Sequence, residues 1–161
     1  MTRLNLRAGV LLLGCLLALG GGCKASGGPT LPGFNPNTER SAMLSRHNAT
    51  RTGAGVPALS ENALLDQIAM QQAQYEASIG DFSHEDGSGH HVDTRATDVG
   101  YNWVAIGENV GYDVSAAQLY TGWLGSPGHY SNIVDADFTE IGIGVAQAGI
   151  YQYWCIVFGS Q

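Results

Sequence analysis

Two histidines, a glutamate and an asparagine stand in short motifs of the second half of the chain. His84 lies in SHEDGSGH, Glu108 and Asn109 lie in GENV, and His129 lies in WLGSPGHYSNI. Glycine or turn residues flank each of them, which is typical of side chains presented from loops and strand ends. Imidazole, carboxylate and amide groups placed in this way are what a small polar site needs.

Three sharper functional motifs are absent from the sequence. Ser126 has Leu124 two places before it, so the G-x-S-x-G turn of serine hydrolases is missing. The DGSGHH segment has His91 where a calcium-binding loop needs glycine. Gly142 and Gly144 lie in a strand that leads into another strand, which excludes a dinucleotide-binding turn.

Helices and strands must position the polar residues. A first helix is expected from a cap at Asn37 or Thr38 to about Arg51. A second helix, capped by Ser60 and ending at Gly80, has the clearest apolar stripe. The next elements are a short helix over 93–99, an extended segment over 103–112, and a helix from the Ser115 cap through Leu124 that Pro127 breaks.

The last two segments are predicted to be strands of a hairpin. Ile141, Ile143 and Val145 alternate with two glycines and an alanine, so one face is bulky and the other is flat enough for a helix to approach closely. The segment 151–158 is apolar on both faces, as in a central strand covered on each side. The pattern predicts an α+β fold, a three-layer α–β–α sandwich with a central, largely antiparallel sheet.

The N-terminal region is typical of export. Arg3 and Arg7 precede an apolar run that is too short to span a bilayer, and small residues then lead to Cys23. Residues 1–22 are interpreted as a signal peptide of lipoprotein type, with Cys23 as the lipidated mature N-terminus and simple secretion as the alternative. Residues 23–37, rich in Gly, Pro, Ser and Asn, are predicted to form a flexible tether.

Charge and cysteine content limit the partners and the disulfides that are expected for this chain. Without the signal, five basic residues face fourteen acidic ones, so the mature chain carries a charge of about −9. Such a chain repels phosphate backbones, so nucleic acid is not expected as a partner, and contact with a membrane is expected only through a lipid anchor. Only Cys155 would remain in the folded domain, which excludes an internal disulfide.

The order of five motifs resembles the CAP superfamily, which groups cysteine-rich secretory proteins, antigen 5 and plant pathogenesis-related group-one proteins. The motifs are SHEDGSGH, GENV, WLGSPGHYSNI, FTEIGIGV and YWCIVFG. The sequence is most similar to the bacterial SCP-like branch, over about residues 37–159, and the domain is assigned to 38–161. The resemblance implies a three-layer α–β–α sandwich with an antiparallel central sheet.

The resemblance also implies a cleft. In the family it holds two histidines and two glutamates, and some members bind a divalent metal there through the histidines. By motif, His84, Glu108 and His129 match three of these positions. Ser126, three residues after Trp123, stands where the family has its other glutamate. The set is thus reduced to His-Glu-His, which weighs against an activity that needs both carboxylates.

Two imidazoles suit zinc or another divalent metal and leave positions open for water or a ligand, so His84 and His129 are candidate ligands of a weakly bound ion. Several roles are open for Glu108. Its carboxylate can be a third ligand, accept a proton from bound water, orient an imidazole, or accept backbone N–H groups as a structural residue.

Other polar residues are interpreted as structural. Four are expected to brace loops by hydrogen bonds: Asn48, Arg51, Asn109 and Asn132. His47 is predicted to be packed and hydrogen-bonded, and His90 and His91 to be exposed. Cys155 is predicted to be a small core residue whose burial, without a cationic neighbour, raises its pKa.

Three functions are consistent with these observations. The favoured hypothesis is a secreted or envelope-tethered module that recognises a ligand or a protein partner in the His-Glu-His cleft, with metal as an organiser. The alternative is a metal-assisted hydrolase, peptidase-like, in which His84 and His129 hold zinc and Glu108 is the general base. Binding of sterols or other lipids, known for some relatives, is the third.

Overall fold

A four-stranded sheet forms the middle layer of the protein in a computed structural model that describes residues 33–161. The signal peptide, the lipid site at Cys23 and most of the tether lie outside these residues. In chain order the elements are α1 (Pro36–Gly53), β1 (Ser60–Glu61), α2 (Ala63–Ile79), α3 (Val92–Asp98), β2 (Ala105–Asp113), α4 (Ala116–Gly125), α5 (Pro127–Val134), β3 (Glu140–Ala148) and β4 (Tyr151–Ser160).

The sheet has the order β1-β3-β4-β2, with antiparallel pairing except between the short β1 and β3. The hairpin of β3 and β4 is confirmed, and its two-residue turn holds Gly149 at a φ of 60°, which favours glycine. β4 is central and buried along nearly its whole length. The predicted α–β–α sandwich with a largely antiparallel sheet is therefore confirmed.

The helix α2 packs directly on the glycine face of β3. A Cβ atom on Gly142 would overlap the carbonyl group of Leu65, and one on Gly144 would overlap the carbonyl group of Ala69. Only glycine permits this approach, as the flat face predicted. α3 lies on the same side, and α1, α4 and α5 cover the bulky face of the sheet.

Two details of the prediction are wrong. Asn35 caps α1, accepting the backbone N–H of Asn37 at 3.0 Å, so the helix begins earlier than expected. Asn62 caps α2 because Ser60 instead belongs to β1, where it pairs with β3. The break after α4 at Pro127 is confirmed, and Pro127 also opens α5, a helix that was not predicted, where its fixed φ suits a first helical residue. Among residues 33–161, no helix is long and apolar enough to cross a membrane.

Candidate functional site

The Glu108 carboxylate lies at the centre of the site, on β2 opposite Val157 of β4, with 2% of its side chain exposed. Its Oε1 atom accepts a hydrogen bond from His84 Nδ1 at 2.9 Å. Its Oε2 atom pairs with the Arg95 guanidinium and accepts the Cys155 thiol at 3.2 Å. Both carboxylate oxygens are therefore engaged by donors from the protein.

The loop that carries His84 is tied to α2. Gln72, buried on that helix, donates its side-chain N–H groups to the carbonyl oxygens of Ser83 at 2.6 Å and Glu85 at 3.2 Å. Further along, Asp86 Oδ1 accepts two backbone N–H groups and closes the loop on itself. Gln72, a polar side chain in the apolar stripe of α2, thus holds the backbone of the His84 loop in place.

The His84 ring is about half exposed and is oriented by Glu108. The hydrogen bond from His84 to Glu108, and then the negative charge of Glu108, raise the pKa of His84, while burial and the charge of Arg95 oppose the rise. Since Nδ1 is used by the carboxylate, Nε2 is the ring nitrogen left for a ligand.

His129 lies on α5, which hydrogen bonds attach to β2. Asn109 donates to the His129 carbonyl oxygen at 3.1 Å, and Asn132 donates to the Glu108 carbonyl oxygen at 3.1 Å and to Asn109 Oδ1 at 2.9 Å. Burial, and then the positive charge of His84, lower the pKa of His129. The two imidazoles are thus near enough to repel each other when charged, and Nδ1 of His129 is buried with no partner among the described residues.

Ser126 caps the junction between α4 and α5 without a side-chain cap bond and lines a cavity with His129. The cavity has a volume of about 450 Å³ and lies against β2 and α4. It is mainly apolar, with a few polar groups, and its lining residues are Phe82, Val110, Gly111, Tyr112, Asp113, Gln118, Leu119, Gly122, Trp123, Ser126 and His129. His84 and Glu108 stand beside it and do not line it.

Arg51 and Asn48 support this arrangement from α1. The Arg51 guanidinium is fully buried and donates to four backbone carbonyl oxygens, those of Pro57, Ile133, Asp135 and Phe138, at 2.7 to 3.0 Å. Ile133 lies in the last turn of α5, the helix of His129, and Asp135 follows that helix directly. The side chain of Asn48 both donates to and accepts from the Leu59 backbone.

His47 is buried among aromatic rings, and its Nδ1 atom lies 2.9 Å from the Met43 carbonyl oxygen. Burial lowers the pKa of His47 to about 4, so this ring is neutral at physiological pH. His90 and His91 are exposed and face the carboxylates of Asp98 and Glu85 at 3.7 and 3.3 Å.

Sequence reasoning missed Arg95 and Glu76. Arg95 is the only Lys or Arg after Arg51 in the chain, and it is buried beside Glu108, with which it forms an ion pair. Glu76 follows Gln72 by one helical turn on the buried stripe of α2. The isolated arginine and this helical spacing were both visible in the sequence. Burial raises the pKa of Glu76 to about 8, and the charge of Glu108 adds to this rise.

Cys155 has a cationic neighbour, contrary to expectation. Arg95 acts on its thiol, yet burial, followed by the charges of Glu108 and Glu76, raises its pKa well above the ordinary value. The thiol is a hydrogen-bond donor to Glu108 inside the core.

The donor set fits a metal only in part. Within residues 33–161, no group of three His, Cys, Asp or Glu side chains is arranged to hold a metal ion. Glu108 is already committed to Arg95, His84 and Cys155, so it does not fit as a third ligand. What remains is an open two-imidazole pair, His84 and His129.

A three-layer sandwich that presents two histidines around a glutamate on its edge strand defines a class of domain. The sequence matches the family described as CAP, cysteine-rich secretory protein family, over residues 44–158. The chain belongs to this family, as the motifs predicted.

Three relatives illustrate the match. The uncharacterized membrane protein YlbC of Bacillus subtilis (strain 168) is 25% identical over 109 residues, covering 67% of this chain and 32% of its own length. An extracellular protein containing an SCP domain from Bacillus anthracis str. Ames superposes with a TM-score of 0.73 at 21% identity, covering 84% of this chain and 45% of the other. An outer surface protein from Borrelia burgdorferi has a TM-score of 0.74 at 16% identity, covering 80% of this chain and 96% of the other.

The structural likenesses, at these identities, show a shared fold. The chain spans only about a third of the length of YlbC.

Proposed function

We propose that this protein is an exported binding module that holds a ligand in the cavity beside His129. The burial of Glu108 and the engagement of its two oxygens are the observations that carry the proposal. A general base needs a free lone pair within reach of the proton it takes. Here an imidazole, a guanidinium and a thiol engage the two carboxylate oxygens, and the side chain is only 2% exposed, so a proton outside the protein has little access to it.

A divalent metal is proposed as a weak organiser of this site. Nε2 of His84 is the nitrogen that Glu108 leaves for a ligand, and His129 lies near enough for its pKa to respond to the charge of His84. When bound, zinc would polarise a ligand oxygen. With two imidazoles as protein ligands, it would bind weakly compared with a closed structural site.

Calorimetric titration with zinc tests this role. We expect weak binding to the purified protein and no binding to the His84→Ala/His129→Ala double variant. His91→Ala, which removes an exposed imidazole outside the site, is the matched control and should bind as the parent protein does. Equal binding by the double variant would place the metal elsewhere and refute the two-histidine site.

A metal-assisted hydrolase is the competing function. The hydrogen bond from His84 to Glu108 favours it, because metal-ligating imidazoles are commonly oriented by a carboxylate. It requires zinc-dependent turnover that is lost in His84→Ala and His129→Ala while the fold survives. Turnover of a peptide library that a chelator abolishes would overturn the binding-module proposal, and unchanged peptides would support it.

Export and lipidation are proposed from the N-terminal sequence, with support from the extracellular and outer-surface names of the two structural neighbours. Cys23→Ser should release the protein from the membrane fraction and abolish labelling by a radioactive fatty acid. A protein that stays membrane-bound after this change would refute the lipid anchor. Lipid or sterol binding, the third hypothesis, would appear as retention of a sterol by the isolated protein.

A further inference from the structure

The cavity between β2 and α4 has aromatic walls at its mouth. Phe82 is 54% exposed and its ring centroid lies 6.2 Å from that of Tyr112. The Tyr112 ring lies 5.4 Å from Tyr151 and 5.0 Å from Tyr153. Phe82 and Tyr112, whose rings are inclined by 46°, line the cavity, whereas Tyr151 and Tyr153 pack against Tyr112 from outside the lining.

The permanently charged side chains identified around this mouth are acidic. Asp113 lines the cavity, and Asp81 lies near enough to Tyr153 to contribute to the rise of its pKa. In the part of the chain that the structure describes, no Lys or Arg lines the cavity.

The few cations of residues 33–161 are engaged or placed elsewhere. These residues include four arginines, no lysine and fourteen acidic residues. Arg40 pairs with Asp66 and Glu61, Arg51 binds backbone carbonyl groups, and Arg95 pairs with Glu108. The surrounding potential is therefore negative, which attracts cations and repels carboxylates, sulfates and phosphates.

We propose that this cavity binds a quaternary ammonium group carried on an apolar body. Aromatic faces attract a cation through their negative quadrupole, and quaternary ammonium ions are well suited because they need no hydrogen-bond acceptors. A primary ammonium has three donors to satisfy, whereas the mainly apolar lining of this cavity offers few acceptors. Trp123 and Leu119, deeper in the lining, would contact the apolar body.

This ligand class rests on the proposed binding function, and four probes with the same six-carbon chain test it. They are hexyltrimethylammonium, hexylammonium, hexanol and hexyl sulfate, each titrated into the full protein by calorimetry. We expect the trimethylammonium to bind about tenfold or more tighter than hexanol, a factor in the range of desolvated cation–π contacts. Hexylammonium should bind less tightly than the quaternary ion, and hexyl sulfate should bind most weakly.

Variants test whether binding of the quaternary ion depends on Tyr112 and Asp113 or only on the negative charge of the whole protein. Asp113→Asn keeps an acceptor for Val114 and should weaken binding of the quaternary ion about tenfold, and Tyr112→Leu should do the same. Asp137→Asn, which removes an equal charge from an exposed site outside the cavity lining, should leave affinity unchanged. Circular dichroism checks that each variant is folded.

The outcomes decide between classes of ligand. Equal or tighter binding of hexanol would identify a neutral lipid site and overturn the proposal, as would tighter binding of hexylammonium or equal losses in Asp113→Asn and Asp137→Asn. If none of the four probes binds, the ammonium proposal is overturned. The proposed binding function is tested separately, by the zinc titration and the turnover assay. Turnover of peptides would overturn the module without affecting the probe result.

Discussion

Glu76 is a buried carboxyl group whose proton content controls stability. It lies on α2 below the His84 loop, fully buried. Its Oε1 atom accepts only long hydrogen bonds, 3.4 Å from Gln72 and 3.5 Å from the Ser83 backbone N–H. Burial raises its pKa from 4.5 to about 8, and the nearby Glu108 carboxylate adds to the rise. The group is therefore mostly uncharged at neutral pH.

The sign and size of the effect follow from proton linkage. Between pH 4.5 and pH 8 the folded protein holds one more proton at Glu76 than the unfolded chain does, so stability falls as pH rises through that range. Each pH unit within it lowers the free energy of unfolding by about 1.4 kcal/mol, and the loss between pH 5.5 and pH 7.5 is about 2.7 kcal/mol. Glu76→Gln, which mimics the protonated acid, removes this loss.

Urea denaturation followed by tryptophan fluorescence, at both pH values, measures the effect. The stability of Glu76→Gln relative to the parent protein should increase by about 2.7 kcal/mol from pH 5.5 to pH 7.5. Glu61→Gln, on the exposed β1, should follow the parent curve at both pH values. Parallel curves for the parent and Glu76→Gln would refute the reasoning, because they would mean that Glu76 ionises alike in the folded and unfolded chains.

Three further outcomes are expected. Gly144→Ala should lower the free energy of unfolding by about 3 kcal/mol, because its Cβ would overlap the α2 backbone, whereas Gly122→Ala, with open space around its Cβ, should be neutral or slightly stabilising in the same denaturation assay. NMR titration should show His47 protonating only near pH 4. Its folded pKa lies below the ordinary 6.5, so stability should fall as pH drops from 6.5 to 4. Arg95→Met should cost about 3–5 kcal/mol by leaving the Glu108 carboxylate buried without a cation, and denaturation measurements in which it is nearly neutral would refute that ion-pair role.

The layers of the fold were predictable because local patterns encode them. The alternation of glycine with Ile141 and Ile143 marked a strand face that a helix backbone can touch, and α2 does so. Elements that depend on distant partners were not predictable in this way. Ser60 has the residue type of a helix cap, but it instead pairs with Glu140, a contact between segments far apart in the chain.

The candidate site was predictable only as a set of residue types. Family motifs identified His84 and Glu108, and the structure joins them by a hydrogen bond. No local pattern showed that Arg95 would lie on Glu108, because a seven-residue helix placed it there through tertiary packing. That unpredicted contact changes the chemistry most, since it replaces a free carboxylate with a compensated ion pair.

The same contact determines which substitutions can report on function. Removing the Glu108 carboxylate also leaves the Arg95 guanidinium buried without its counter-charge, so the change affects folding as well as the site. His84 is different, because its ring is about half exposed and its loop is held by Gln72 through backbone carbonyl groups. Loss of ligand binding in His84→Ala with unchanged stability would thus report on the site itself, whereas the same loss in a Glu108 variant would combine two causes.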